Sequence, residues 1–260
     1  MTATTATAVV QTRIAGPVGH ILLDRPDAMN AITVELGRQL EEALVSLATQ
    51  VNVIVIRGSN GNFSVGGDFR ELERLRAEGP EAMAELFDNF SRACSTIKDL
   101  DVPVIAAVEG YAMAGGFELM QACDITLVHE KAKLADTHSN HGQIPGGGSS
   151  QRLPRLVGRQ RALAHILTGD RISAAEAVAW GLAYRALPAD EFDAAVDDFA
   201  AKLAAKSRDA LAKSKRLIYA ALELPLADGL TLERNAVLAH LSGDAAGAGI
   251  NSFTGKGKSA

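Results

Sequence analysis

Apolar and polar positions along this chain follow two periods, and the switches between them mark the elements. Residues 9–14 and 18–23 read as two strands joined at Gly16-Pro17. After LDRPDAMNAI, Leu36, Leu40, Leu44 and Leu47 recur at helical spacing, and Thr33 stands where an N-cap belongs. Residues 53–56 form a continuous apolar run, which suits a buried strand. The glycine-rich stretch RGSNGNFSVGGDF follows, then helical patterns over 69–75 and from Pro80 to about Lys98. A second buried strand is expected over 102–108 and a third over 124–128. LADTHSNHGQIPGGGSSQRLPRLVG reads as a loop, and from Arg159 onward the pattern is helical, with Ala-rich amphipathic stretches at 189–206, 207–222 and 226–241. The pattern predicts an α/β chain of repeated ββα units, with the main body over 1–190 and a helical region over 191–260.

The rest of the chain is organised around VPVIAAVEGYAMAGGFELMQACD, residues 102–124. Its order is strand, turn at Glu109-Gly110-Tyr111, then a helix opened by Gly115-Gly116. A helix beginning there offers unpaired backbone N–H groups and the positive end of its dipole, and glycine lets a ligand approach the main chain. Glu118 follows Gly115 by three residues, so its side chain shares the face of that exposed N–H. An anion site and a carboxylate therefore stand side by side. Gly66-Gly67 lies in the same strand, loop, helix context. Two such turns can aim two backbone donors at one oxygen that gains charge, as in a thioester enolate or a tetrahedral oxyanion.

Composition narrows the partners. The chain has 260 residues, 47% of them hydrophobic, enough for a continuous core. Its net charge of −5 provides no basic field for nucleic acid or an anionic membrane, and any anionic ligand must be held by local groups. Cys94 and Cys123 lack disulfide or C-x-x-C spacing, and MTATTATAVVQTR has no basic lead or apolar core of a signal peptide. A cytoplasmic protein without a membrane span is the expectation. Neither glycine loop is a P-loop or a dinucleotide fingerprint, and Ser64, Ser149 and Ser150 lack the glycines of a nucleophile elbow.

FSVGGDF, AAVEGYAMAGGFELMQACDI, IPGGGSSQRLPRLVG and ISAAEAVAWGLAYRALP, in this order and together with LDRPDAMNAI, resemble the crotonase family of enoyl-CoA hydratases and isomerases. The resemblance implies a superhelix of ββα turns with a C-terminal helical region, assembled as trimers or hexamers. It also implies an acyl-CoA thioester as ligand, with coenzyme A carried by the substrate and no separate cofactor. The two thioester-binding N–H groups map to Gly67 and Gly115, and the first catalytic glutamate maps to Glu118. The CoA and acyl contacts map to Arg25, Ala28, Ser64, Val65, Gly66, Gly67, Asp68 and Gly115, with Phe253 and Lys256 at the C-terminal end. Lys258 is a further local cation there, and Asp27 stands where relatives often carry a lysine.

One position departs from the hydratase pattern. Where many hydratases carry a second glutamate, this chain has His138. An imidazole can give and take a proton near neutrality, so the catalytic pair becomes Glu118 and His138. Asp136, His138 and His141 also carry the ligand types of an open metal site, but they share one loop and no second cluster supports a metal. The reaction expected is hydration of a 2-enoyl-CoA to a 3-hydroxyacyl-CoA. The alternatives are double-bond isomerisation or thioester hydrolysis through the same oxyanion hole, or a non-catalytic acyl-CoA binder.

Overall fold

The computed structural model describes residues 8–243, so Phe253, Lys256 and Lys258 lie outside the described residues. The chain opens with a hairpin of β1 (Val10–Ala15) and β2 (Val18–Leu23), then α1 (Val34–Ala48), whose first turn is capped by the Thr33 side chain accepting from Leu36 N–H. Next come β3 (Val53–Gly58), α2 (Phe69–Glu78), α3 (Pro80–Asp99), β4 (Val104–Val108), β5 (Tyr111–Met113) and α4 (Gly115–Ala122). They are followed by β6 (Ile125–His129), β7 (Lys133–Ala135), α5 (Ser149–Val157), α6 (Arg159–Thr168), β8 (Ile172–Ser173), α7 (Ala174–Ala179) and β9 (Arg185–Leu187). Three helices complete the described chain: α8 (Phe192–Ala204), α9 (Arg208–Ala220) and α10 (Leu226–Leu241).

Two sheets run through the described residues. The larger has the order β1-β2-β3-β4-β6-β9, parallel throughout except for the opening hairpin, and the smaller has the order β5-β7-β8. Successive turns of chain contribute first to the large sheet and then to the small sheet's side before a helix returns. β4, β5 and α4 make one such turn, and β6, β7 and the helices after it make the next. Earlier turns make only single bridges on that side, Ile32 to Gly67 and Ser64 to Ala112. This is the ββα spiral that the sequence predicts.

Both faces of the large sheet are covered, which explains why β3 and β4 read as unbroken apolar runs. Ile54, Ile56, Val104, Ala106 and Val108 face a core with α1 and α3, while Val53, Val55, Ile105 and Ala107 face a second core with α8. α9 is tied back by Lys215, whose buried ammonium donates to the carbonyls of Ile97 and Val102 at 2.6 and 3.0 Å and pairs with Asp124 at 2.7 Å. Among the described residues, no helix is long and apolar enough to cross a membrane.

The stretch read as a loop between the third strand and Arg159 needs correction. It holds β7, a 3-10 turn at His138–His141, and α5. β7 is too short to show a period, and Pro154 inside α5 suggests a break. The helix survives its missing N–H because Leu153 and Val157, four residues apart, are buried on one face. β5, β8 and β9 escaped the sequence pattern for the same reason of length.

Candidate active site

α4 starts without a side-chain cap. Ala114 precedes it at φ 45° and ψ −117°, a backbone region rarely adopted by residues other than glycine, at a cost of ~1–3 kcal/mol. The conformation is held from both sides: Ala114 N–H donates to Ala135 O at 2.9 Å, and Ala114 O accepts Glu118 N–H at 3.0 Å. Gly115 then occupies the first helical position, where an N–H has no partner within the helix, and none of the described residues accepts it. The amide of Gly67 likewise has no acceptor among the described residues. The two loops touch main chain to main chain. A Cβ on Gly66 would stand 3.0 Å from Gly115 N, and one on Gly116 would stand 2.2 Å from Ser64 O. Glycine is required at 66 and 116 for this approach.

Gly67 and Gly115 line a cavity of about 770 Å³. Glu118 and His138 line it too. Phe69, Leu72, Met83, Leu86, Phe87 and Phe90, from α2 and α3, form its apolar wall, and residues 137–138 and 141–144 close the other side. That volume lies within the range of cavities that hold small molecules.

Glu118 is 2% exposed and held from the far side. Its Oε1 accepts the backbone N–H of Gly147 at 2.8 Å and of Ser149 at 3.0 Å. Its Oε2 faces His138 Nε2 at 3.8 Å. That is too long for a hydrogen bond, and it is a span across which one water can bond to both. Burial pushes the Glu118 carboxyl above its ordinary range, and Asp136's charge adds to this against the two backbone donors and His138. Burial also opposes the charged form of His138, but the bond to Asp136 and the charges of Asp136 and Glu118 outweigh it, so this imidazole is raised above 6.5.

The run Gly146-Gly147-Gly148 escaped the sequence reading as part of this site. A Cβ on Gly146 would stand 2.5 Å from the Phe87 ring, and one on Gly147 would stand 2.4 Å from Phe90 and 2.7 Å from Glu118 Oε2. The consecutive glycines were the available signal: they let the main chain reach the carboxylate. Of the other residues singled out in the sequence, Val65 lines the cavity, whereas Arg25, Ala28, Ser64, Gly66 and Asp68 do not. Ser64 is buried, and its hydroxyl donates to Asn30 O at 2.8 Å. Asp68 caps α2 by accepting from Arg70 and Glu71 N–H and pairs with Arg25 at 2.8 Å, so these two charges brace the glycine loop. Among the described residues no group of three His, Cys, Asp or Glu side chains could hold a metal ion.

A family model described as enoyl-CoA hydratase/isomerase matches residues 13–260. The chain belongs to this family. A mitochondrial enoyl-CoA hydratase of Pongo abelii is 35% identical over 93% of this chain and 82% of the relative. A Rhizobium meliloti protein named "probable enoyl-CoA hydratase" is 38% identical over 88% of this chain and 87% of its own. Among solved structures, the Bacillus anthracis enoyl-CoA hydratase superposes with a TM-score of 0.89 at 30% identity, covering 96% of this chain and 97% of the other. A Thermobifida fusca protein solved in complex with CoA superposes at 0.83 with 33% identity, covering 90% and 93%. The spiral is thus the crotonase fold, as the sequence motifs implied.

Proposed function

We propose that this protein hydrates a 2-enoyl-CoA to a 3-hydroxyacyl-CoA. The observation that carries the reading is the facing pair, Glu118 Oε2 and His138 Nε2 at 3.8 Å, in the same cavity as two glycine amides without an acceptor among the described residues. The thioester oxygen takes the N–H groups of Gly67 and Gly115. Glu118 accepts a proton from water as its oxygen bonds to C3, and the double-bond electrons move to the thioester oxygen as an enolate. The His138 imidazolium then gives its Nε2 proton to C2. One proton passing from Glu118 to His138 resets the pair, and the net change is addition of H and OH. No cofactor enters these steps beyond the CoA of the substrate.

Crotonyl-CoA absorbance, followed in deuterated solvent with label scored at C2, tests this reading. Loss of the enoyl chromophore with one deuterium at C2 is expected. Deuterium exchange without hydration would move the assignment to an isomerase, and release of free CoA would move it to a hydrolase. The pH profile follows from the two shifts. Hydration needs Glu118 ionised and His138 protonated, and both groups are raised. The acid limb of kcat/KM should therefore lie above the ordinary glutamate range, and the base limb should lie above 6.5. His138→Gln should remove the base limb; a base limb unchanged in that variant would assign it to another group.

Assembly belongs to the same proposal. Ile218, Leu222, Leu226, Leu230 and Leu238, on or between α9 and α10, are all exposed. We infer that further copies of the chain cover them in a trimer or hexamer, with the region from 191 onward as the oligomerisation element. Sedimentation should give a trimer mass or twice that, and a stable active monomer at micromolar concentration would refute it.

A further inference from the structure

Asp136 is fully buried and takes no part in the steps above. It follows β7 directly, and its backbone N–H donates to His165 Nε2 at 3.0 Å. His165 is itself buried, packed on Phe117 and Trp180 at ring-centroid distances of 5.1 and 6.3 Å. The main chain at Asp136 is therefore fixed by a rigid neighbour. Its Oδ1 accepts His138 N–H at 3.4 Å and stands 2.6 Å from His138 Nδ1. Burial alone would raise this carboxyl; the bond to His138 and the charge of its imidazole act against it, and the group is held below its ordinary range. A carboxylate only accepts, so the proton between the two belongs to Nδ1.

We propose that Asp136 is a positioning residue that keeps a proton on His138 Nδ1, turns Nε2 toward Glu118, and stabilises the imidazolium by its charge. The inference rests on the hydration reading for its catalytic consequence, though not for its geometry. With Nδ1 engaged, the ring exchanges protons only at Nε2, the atom that faces Glu118 and the cavity. Other elements bring few competing charges. α4 supplies Glu118, α2 brings Glu73 and Arg76 to the cavity, and His141 lies in the same 3-10 turn. α3 contributes only apolar side chains to the lining, and the segment before α5 contributes Gly147.

Nitrogen-15 histidine spectra of the full chain, titrated with pH, test the geometry without reference to activity. In the wild type, neutral His138 should carry its proton on Nδ1 and titrate above 6.5. Asp136→Asn should lower that midpoint by about one unit or more, because the negative charge is gone. Its kcat for crotonyl-CoA at pH ~7.5 should fall ~10–100-fold with KM within about threefold, and the deficit should shrink toward pH ~6 as the imidazole regains its proton. In a His138→Gln background, Asp136→Asn should change kcat by less than about twofold. A merely structural role would move neither the midpoint nor the pH dependence of the deficit. A neutral wild-type His138 protonated on Nε2, or a midpoint unmoved by Asp136→Asn, would overturn the proposal. If Asp136→Asn does not fold, the wild-type tautomer and midpoint decide alone. If the wild type does not hydrate crotonyl-CoA, the functional reading fails while these spectra still decide the role of Asp136.

Discussion

Glu118→Gln should reduce hydration of crotonyl-CoA by ~10²–10⁴-fold in kcat with little change in KM. The substitution keeps the shape of the side chain. The glutamine carbonyl oxygen can still accept from Gly147 and Ser149 N–H, the contacts that now fix Oε1. The Gly67 and Gly115 amides, the proposed thioester site, are untouched, so binding should persist. Only the oxygen facing His138 is lost, replaced by an amide that cannot take a proton from water. Stability should hold or rise slightly, because a buried carboxyl whose ionised form is opposed by burial has been replaced by a neutral group. Initial rates with crotonyl-CoA and a thermal melt check both halves. A well-folded variant retaining more than about a tenth of wild-type kcat would remove Glu118 from the water-activating role.

Gly115→Pro should cost ~2.7–4 kcal/mol of transition-state stabilisation, or about 10²–10³-fold in rate, because it deletes one of the two donors proposed for the developing enolate oxygen. Proline is otherwise acceptable at the first position of a helix. Two local features add backbone damage to the donor loss. A Cβ on residue 115 would stand 2.6 Å from Ile32 Cδ1, and Ala114 before it is held at φ 45°. Gly115→Ala separates the effects, since alanine makes the same contact with the flexible end of Ile32 while keeping the N–H. The proline variant should be at least about tenfold slower than the alanine variant on crotonyl-CoA. Equal rates in the two would show that the Gly115 amide does not hold the thioester oxygen.

Much of this was legible before the structure because it depends on neighbours in sequence. Thr33 caps α1 through a bond to Leu36 N–H, three residues on, and the four leucines of that helix are buried by their spacing alone. The apolar runs of β3 and β4 announce strands covered on both faces. Gly115 and Glu118 share one turn of α4, so an N–H donor and a carboxylate had to be neighbours. The family motifs supplied the acyl-CoA ligand that spacing alone could not.

The partnership of Glu118 with His138 and Asp136 was decided by tertiary structure. β5 and β7 pair in parallel with Met113 opposite Ala135, and Ala114 N–H closes on Ala135 O. That register sets the start of α4 beside residues 136–138, so Glu118 and His138, 20 positions apart in the chain, come to face each other at 3.8 Å. A slip of one residue would turn Leu134 to the opposite face and displace the chain that carries Asp136 and His138. No local period encodes the pairing, because each strand has only three residues and its partner lies beyond an intervening helix and strand. The amides of Gly147 and Ser149 reach Glu118 from a third segment by the same kind of non-local closure. The sequence by itself determined which groups could do acid and base chemistry and which loops could hold an oxyanion; their distances and orientations were decided by strand register and main-chain contact, which only the folded chain possesses.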